Sequence, residues 1–173
     1  MRALKTILFL SLATLFGCTS KPSGVEPVDN FDLQPYLGKW YEIARLDHSF
    51  ERGLSHVTAE YQRREDGGVR VINQGYSKED QAWTQAEGKA YFVEDENIGH
   101  LKVSFFGPFY SSYIVFELGE NYDYAFISGY NHDYLWLLSR TPTVDQAIVE
   151  RFKQVAKEKG FELDELILVD QAQ

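Results

Sequence analysis

NYDYAFISGYNHDYLWLLSR, residues 121–140, holds two strands and the turn between them. Tyr122, Tyr124, Phe126, Ser128 and Tyr130 share one face of an extended chain, because strand side chains alternate with a period of two. Asn131-His132-Asp133 supplies a turn, since short polar side chains bond their own backbone and tolerate tight geometry. Tyr134, Trp136, Leu138 and Arg140 then alternate with Leu135, Leu137 and Ser139. Both faces of this second strand are apolar, so both must be covered. One face belongs to a core, and the other needs a separate partner.

The helical candidate follows directly. Thr143 and Gln146 have capping-box spacing, and Gly160 stands where a helix would stop. Between them Ile148, Phe152 and Val155 recur at four and three residues, the spacing of one helical face, while Lys153, Lys157 and Glu158 stay on the wet side. The pattern predicts a helix lying on the outside of the last strand.

Upstream, the same strand–turn rhythm recurs. Extended segments are predicted at 41–46, 57–63, 69–76, 82–92, 100–106 and 112–118, ahead of the two in 122–140. Gly, Pro, Asn or Asp clusters bound each one, and Asp66-Gly67-Gly68 is a clear hairpin turn. Eight sequential strands with short turns predict an all-β, eight-stranded antiparallel up-and-down barrel, which closes on itself and leaves no free edge. Phe161 to Val169 reads as a final extended segment, and no second domain remains in the 173 residues. The aromatic share of 15% agrees with strands. A formal charge of −9 without a basic cluster excludes nucleic acid as a partner, because phosphates would find nothing to neutralise them.

The first residues read as an address. Arg2 and Lys5 precede an apolar run from Ile7 to Phe16, about half the ~20 residues needed to span a bilayer. This is a secretory signal over residues 1–17. The sole cysteine, Cys18, stands where such a signal would be cut. Leu15-Phe16-Gly17-Cys18 resembles the bacterial lipoprotein box, which implies acylation of Cys18 and a membrane partner held through it. Thr19 after that cysteine implies sorting to the outer membrane, with the barrel facing the periplasm. Residues 18–30, with Pro22, Gly24 and Pro27, read as lipidated cysteine and tether, leaving 31–173 as the folded domain.

Gly38-Lys39-Trp40-Tyr41 resembles the opening signature of the lipocalins. Asn121-Tyr122-Asp123-Tyr124-Ala125 and Leu138-Ser139-Arg140-Thr141-Pro142 resemble their second and third signatures, in order and at matching places on the inferred meander. Trp40-Tyr41-Glu42-Ile43-Ala44-Arg45 and residues 134–142 are similar to the bacterial branch, which consists of outer-membrane lipoproteins. The resemblance implies that Trp40 lies across the closed barrel end with Arg140 stacked on it, a structural lid without ligand contact. It also implies an acyl-chain ligand, a fatty acid or a lysophospholipid. Some bacterial lipocalins look dimeric, and the sequence leaves a homodimer open.

If Trp40 points inward, parity predicts a cavity wall. Its members are Glu42, Ala44, Tyr61, Val71, Asn73, Ala90, Val103, Phe105, Tyr113, Val115, Phe126, Ser128, Trp136 and Leu138. Small residues against rings leave room for an elongated apolar ligand, and the polar atoms of Asn73, Tyr61, Tyr113 and Ser128 are candidates to fix its head group. His48, His56, His100 and His132 fall on separate strand ends or loops and read as solvated turn residues, without metal-ligand spacing. No Gly-x-Ser-x-Gly elbow is present. The reading is therefore a binding protein rather than an enzyme, with no cofactor. A tetrapyrrole carrier, a lipid esterase and a structural envelope protein with a filled barrel stay open as alternatives. Aromatics in 47–55 and 106–110 have four open fates: dipping into a membrane, gating a ligand, forming a dimer contact or packing on one another.

Overall fold

The computed structural model describes residues 19–172. The readings placed on Cys18 and on the signal at 1–17 lie outside the described residues.

The described chain forms α1 (Leu33–Tyr36), β1 (Gly38–Leu46), β2 (Leu54–Arg63), β3 (Val69–Ser77), β4 (Ala82–Phe92) and β5 (His100–Phe106). It continues with β6 (Phe109–Leu118), β7 (Tyr124–Ser128), β8 (Leu135–Ser139), α2 (Gln146–Glu158) and β9 (Leu166–Leu168). Strands β1 to β8 pair in sequence order, and β1 pairs with both β8 and β2, which closes the barrel. All these pairings are antiparallel. The eight-stranded barrel with a helix outside is therefore present. One feature was not legible from the alternation: β2 leaves β1 above Tyr41, and β9 pairs with β1 at Ala44–Leu46 in its place.

The sheet separates two apolar cores. One lies inside the barrel and includes Trp40, Tyr61, Val69, Val71, Leu101, Val115, Ile127 and Leu138. The other lies outside, where Phe126, Leu135 and Leu137 meet Val149, Phe152 and Ala156 of α2. Burial of Leu135 and Leu137 under α2 is the cover that the doubly apolar strand required. The buried helical face, Val149, Phe152 and Ala156, is turned by one residue from the expected Ile148, Phe152 and Val155, which are half-buried at positions 148 and 155. The cap also differs. Asp145, not Thr143, accepts from the Ala147 amide, while the Thr143 carbonyl accepts from the Thr141 hydroxyl. Gly160 does end the helix, at φ +89°, a conformation that a side chain would strain.

The expected tether has its own structure. Val25 is fully buried in the outer core. The Val28 amide donates to the Val115 carbonyl, and the Val28 carbonyl accepts from Gly99, so the segment lies along the wall at β6. Asp32 then caps α1, a single turn that closes the barrel floor beneath Trp40.

Candidate functional site

Register and burial place the predicted wall residues. Tyr61, Val71, Asn73, Ala90, Val103, Phe105, Tyr113, Val115, Trp136 and Leu138 lie on the inner face, as does Glu42, which is paired with Leu138. Three expectations need correction. Ala44, Phe126 and Ser128 lie on the outer face, opposite Leu137, Leu137 and Leu135 respectively. In β1 the cause is a bulge between Glu42 and Ala44, because one extra residue reverses the parity of everything beyond it. In β7 Ala125 and Ile127 are the inner residues, and Phe126 packs 5.1 Å from the Phe152 ring, edge to face.

That bulge brings in a residue that parity had sent outside. Arg45 is opposite Trp136 and almost completely buried. Its Nη1 donates to Glu42 Oε1 at 2.6 Å, and its Nη2 donates to the carbonyls of Glu51 and Leu54 at 2.8 and 3.2 Å. Glu51 comes from the β1–β2 connection, accepts the Trp136 indole N–H at 3.0 Å and faces His48 Nε2 at 3.1 Å. His48 is buried against Phe50 and Trp136, which corrects the expectation of a solvated turn histidine. His100 is corrected in the same way. It is buried on the outer face beside Ser112, and burial lowers its pKa against the pull of Glu94.

The upper barrel thus contains two carboxyl groups around one guanidinium. Burial first, and then the neighbouring Glu51, pushes the Glu42 carboxyl well above the usual carboxylate range, with Arg45 pulling it back down. Burying such a cluster is costly unless every charge is matched. Sequence patterning could have found Arg45 only by recognising the bulge, and Glu51 sits in a loop where periodicity says nothing.

Lower down, three phenols form a chain. Tyr113 Oη lies 2.6 Å from Tyr36 Oη and 2.8 Å from Tyr61 Oη. Burial raises all three pKa values, so they stay neutral donors and acceptors. Below them the guanidinium carbon of Arg140 lies 3.9 Å above the Trp40 ring. Arg140 also donates to the carbonyls of Tyr122, Lys39 and Pro35, which ties the floor to β1 and α1. Gly38 enters β1 at φ +91° with Arg140 directly alongside. A double-mutant cycle of Arg140→Ala with Trp40→Leu is expected to give a coupling of about 0.5–2 kcal/mol by urea unfolding. Coupling within the roughly 0.3–0.5 kcal/mol scatter of independent sites would mean that Arg140 acts only through the carbonyls.

The interior is not uniformly closed. At the floor Trp40, Tyr61, Val69 and Val71 are buried. Beside and above them, Ala59, Asn73, Ala86, Val103, Phe105 and Trp136 face inward by register and still retain accessible surface. Asn73 Oδ1 is itself out of reach of solvent and has no hydrogen-bond partner among the described residues. A buried amide oxygen without a donor is unfavourable unless something else supplies one. Around the closed ring, β4 and β5 stand opposite β8 and β1. An accessible, mostly apolar wall therefore faces the charged cluster of Glu42, Arg45 and Glu51.

Comparison with known proteins agrees with this architecture. A family model described as a lipocalin-like domain matches residues 31–171. The chain is 60% identical over 172 residues to the outer membrane lipoprotein Blc of Vibrio cholerae, covering 99% of each chain. It is 48% identical over 174 residues to the protein of the same name from Escherichia coli K12, covering 99% of this chain and 98% of that one. Among solved structures, insecticyanin from the tobacco hornworm Manduca sexta superposes with a TM-score of 0.71 at 20% identity, covering 89% of this chain and 88% of that one.

Proposed function

The chain belongs to the lipocalin family, and on that premise we propose that it is an outer-membrane lipoprotein whose barrel binds one acyl-chain lipid. The names of the bacterial relatives support the location and the anchor, and the barrel supports the ligand class. Cys18 is the acylated residue in this reading, with the barrel on the periplasmic side. Binding and release, rather than turnover, is the activity.

The observation that carries the reading is the contrast within one barrel: a filled floor below accessible inward side chains. The accessible part combines Val103, Phe105, Ala86 and Trp136 with Asn73, whose buried amide oxygen has no donor among the described residues. Mostly apolar walls with a few convergent polar groups suit a long-chain amphiphile. Burying ~12 methylenes at roughly 0.8 kcal/mol each gives a gross of about 10 kcal/mol. Ordering the chain takes part of that back, so micromolar to sub-micromolar affinity is expected.

The charge arrangement favours one head group. A bare fatty-acid carboxylate would add a third acid beside Glu42 and Glu51, in a desolvated cluster that already raises the Glu42 pKa. A zwitterionic lysophospholipid adds no net charge there, and its ammonium group can face the acids.

Native mass spectrometry of the chain with palmitate, lysophosphatidylethanolamine and haem tests this directly. One lysophospholipid per barrel, displacing palmitate, is the expected result. Ala59→Trp, which fills the inner face opposite Trp40 and Asn73, is expected to weaken that adduct at least about tenfold, as a loss of roughly 1.4 kcal/mol or more would. Failure of every lipid to bind would favour a filled barrel, and an adduct with haem alone would favour the tetrapyrrole reading.

A further inference from the structure

The exposed aromatic side chains of this barrel lie at one end. Up-and-down connectivity places the connections 47–53, 78–81, 107–108 and 129–134 at the open end, opposite the Trp40 floor. Phe106 is 82% exposed and Phe109 72%, flanking the β5–β6 turn, and neither ring stacks on another among the described residues. Phe50 at 60% and Trp83 at 64% belong to the same end. Exposed apolar rings clustered at one end mark a contact surface.

The chain enters at that end too. Ser20 Oγ donates to the Tyr130 carbonyl at 3.3 Å, and Ser112 Oγ donates to the Ser20 carbonyl at 2.8 Å. Tyr130 lies in the β7–β8 connection, at the open end. Cys18 precedes Ser20 by only two residues in the sequence. From Ser20 the chain runs along the wall to Val28 and the floor, so no long spacer separates position 18 from the barrel.

The wall is also incomplete near this end. β4 and β5 pair only over Lys89–Phe92, and Ala82–Glu87 are hydrogen-bonded to β3 alone.

We propose that the open end of the barrel is seated on the lipid bilayer, with Phe106 and Phe109 entering its acyl region. This rests on the reading of Cys18 as the acylated anchor. A short attachment at the same end holds the rim at the surface, and the rim rings add a second membrane contact there. A lipid then passes between bilayer and cavity at the gap above Lys89 without crossing water.

The test uses full-length chain expressed in a bacterial envelope and reconstituted into zwitterionic vesicles with brominated acyl chains. Zwitterionic lipid keeps the chain's net negative charge from deciding the result. In a Trp83→Phe background, Phe106→Trp and Phe109→Trp report the rim, while Trp40, buried in the barrel floor, is the internal control. At least about a twofold loss of the added emission, with Trp40 emission retained, is the expected outcome. Unquenched emission from vesicle-bound protein overturns the proposal. So does blue-shifted emission with a doubled mass by light scattering, which would assign the rings to a second copy. The intact mass reports acylation separately. If it shows none, the anchor reading fails, and coupling Cys18 to a maleimide phospholipid still reads the depth of the rim.

Discussion

Arg45→Met is expected to destabilise the protein by about 3–5 kcal/mol near neutral pH, the range for removing one partner from a buried ion cluster. The guanidinium is the hub of the upper barrel: it bonds Glu42 and the carbonyls of Glu51 and Leu54, which fasten the β1–β2 connection over the mouth. Without it two carboxyl groups face each other in a site removed from water. The loss should depend on pH, with a sign that follows from Glu42. Its folded-state pKa is raised by burial and by Glu51, so the folded protein holds that proton more tightly than the unfolded chain. Such a group contributes fully below the ordinary carboxylate value of about 4.3, and the contribution is lost as pH rises toward the raised value. Removing Arg45 takes away the attraction that opposes the rise. Urea unfolding of Arg45→Met should therefore recover its deficit progressively as pH falls toward that ordinary value of about 4.3, with a smaller change in the parent. Below that value exposed carboxylates act in the opposite sense. Asp47 and Glu87, paired with Arg52 and Arg70, have lowered pKa values, so their contributions fall away as pH drops through those values. Replacing all three residues, Glu42→Leu with Arg45→Met and Glu51→Leu, should restore most of the loss near neutral pH, because an apolar trio leaves no stranded charge. A cost below about 1 kcal/mol for Arg45→Met, or one that does not change with pH, would show that the cluster carries no net burial penalty.

The eight strands could be read because each half-buried strand repeats every two residues, and turns announce themselves by residue type. Their inward faces were harder. From Gly38 to Glu42 parity holds, but the bulge before Ala44 inserts a residue without any sequence mark, so Ala44 and Arg45 exchange sides. β7 fails for a different reason. Ala125 and Ile127 compete with Phe126, and a strand buried on both faces loses the alternation that would tell inside from outside. The loop residue Glu51 carries no periodic signal, yet it completes the charged cluster. The segment 19–30 looked like a spacer because Pro, Gly and polar residues resemble a linker. Val25 and the Val28 backbone nevertheless dock on the wall, since one buried side chain and two backbone bonds suffice where a groove already exists. What local pattern leaves out is what a neighbouring surface supplies.

Phe152→Ala supplies the complementary test, because it attacks the fold without touching the interior. Phe152 is fully buried and meets Phe126 across the outer face of β7, while Leu135 and Leu137 present the neighbouring strand. Truncating a ring in such a site removes its transfer energy and leaves a cavity, for about 3–5 kcal/mol. The sheet separates the outer core from Tyr61, Val103 and Trp136, so lipid stoichiometry measured while the variant is still folded should not change. Ala59→Trp is expected to do the reverse, weakening the lipid adduct by filling the inner face. Phe152→Leu should recover more than half of the loss by returning most of the apolar volume. If Phe152→Ala abolished lipid binding at a temperature where the protein remains folded, the two cores would be coupled through the wall. Position 126 would then matter to the cavity from outside it. If instead the substitution cost less than about 1 kcal/mol, α2 would be a loosely held cover, and the barrel interior would account for nearly all of the stability.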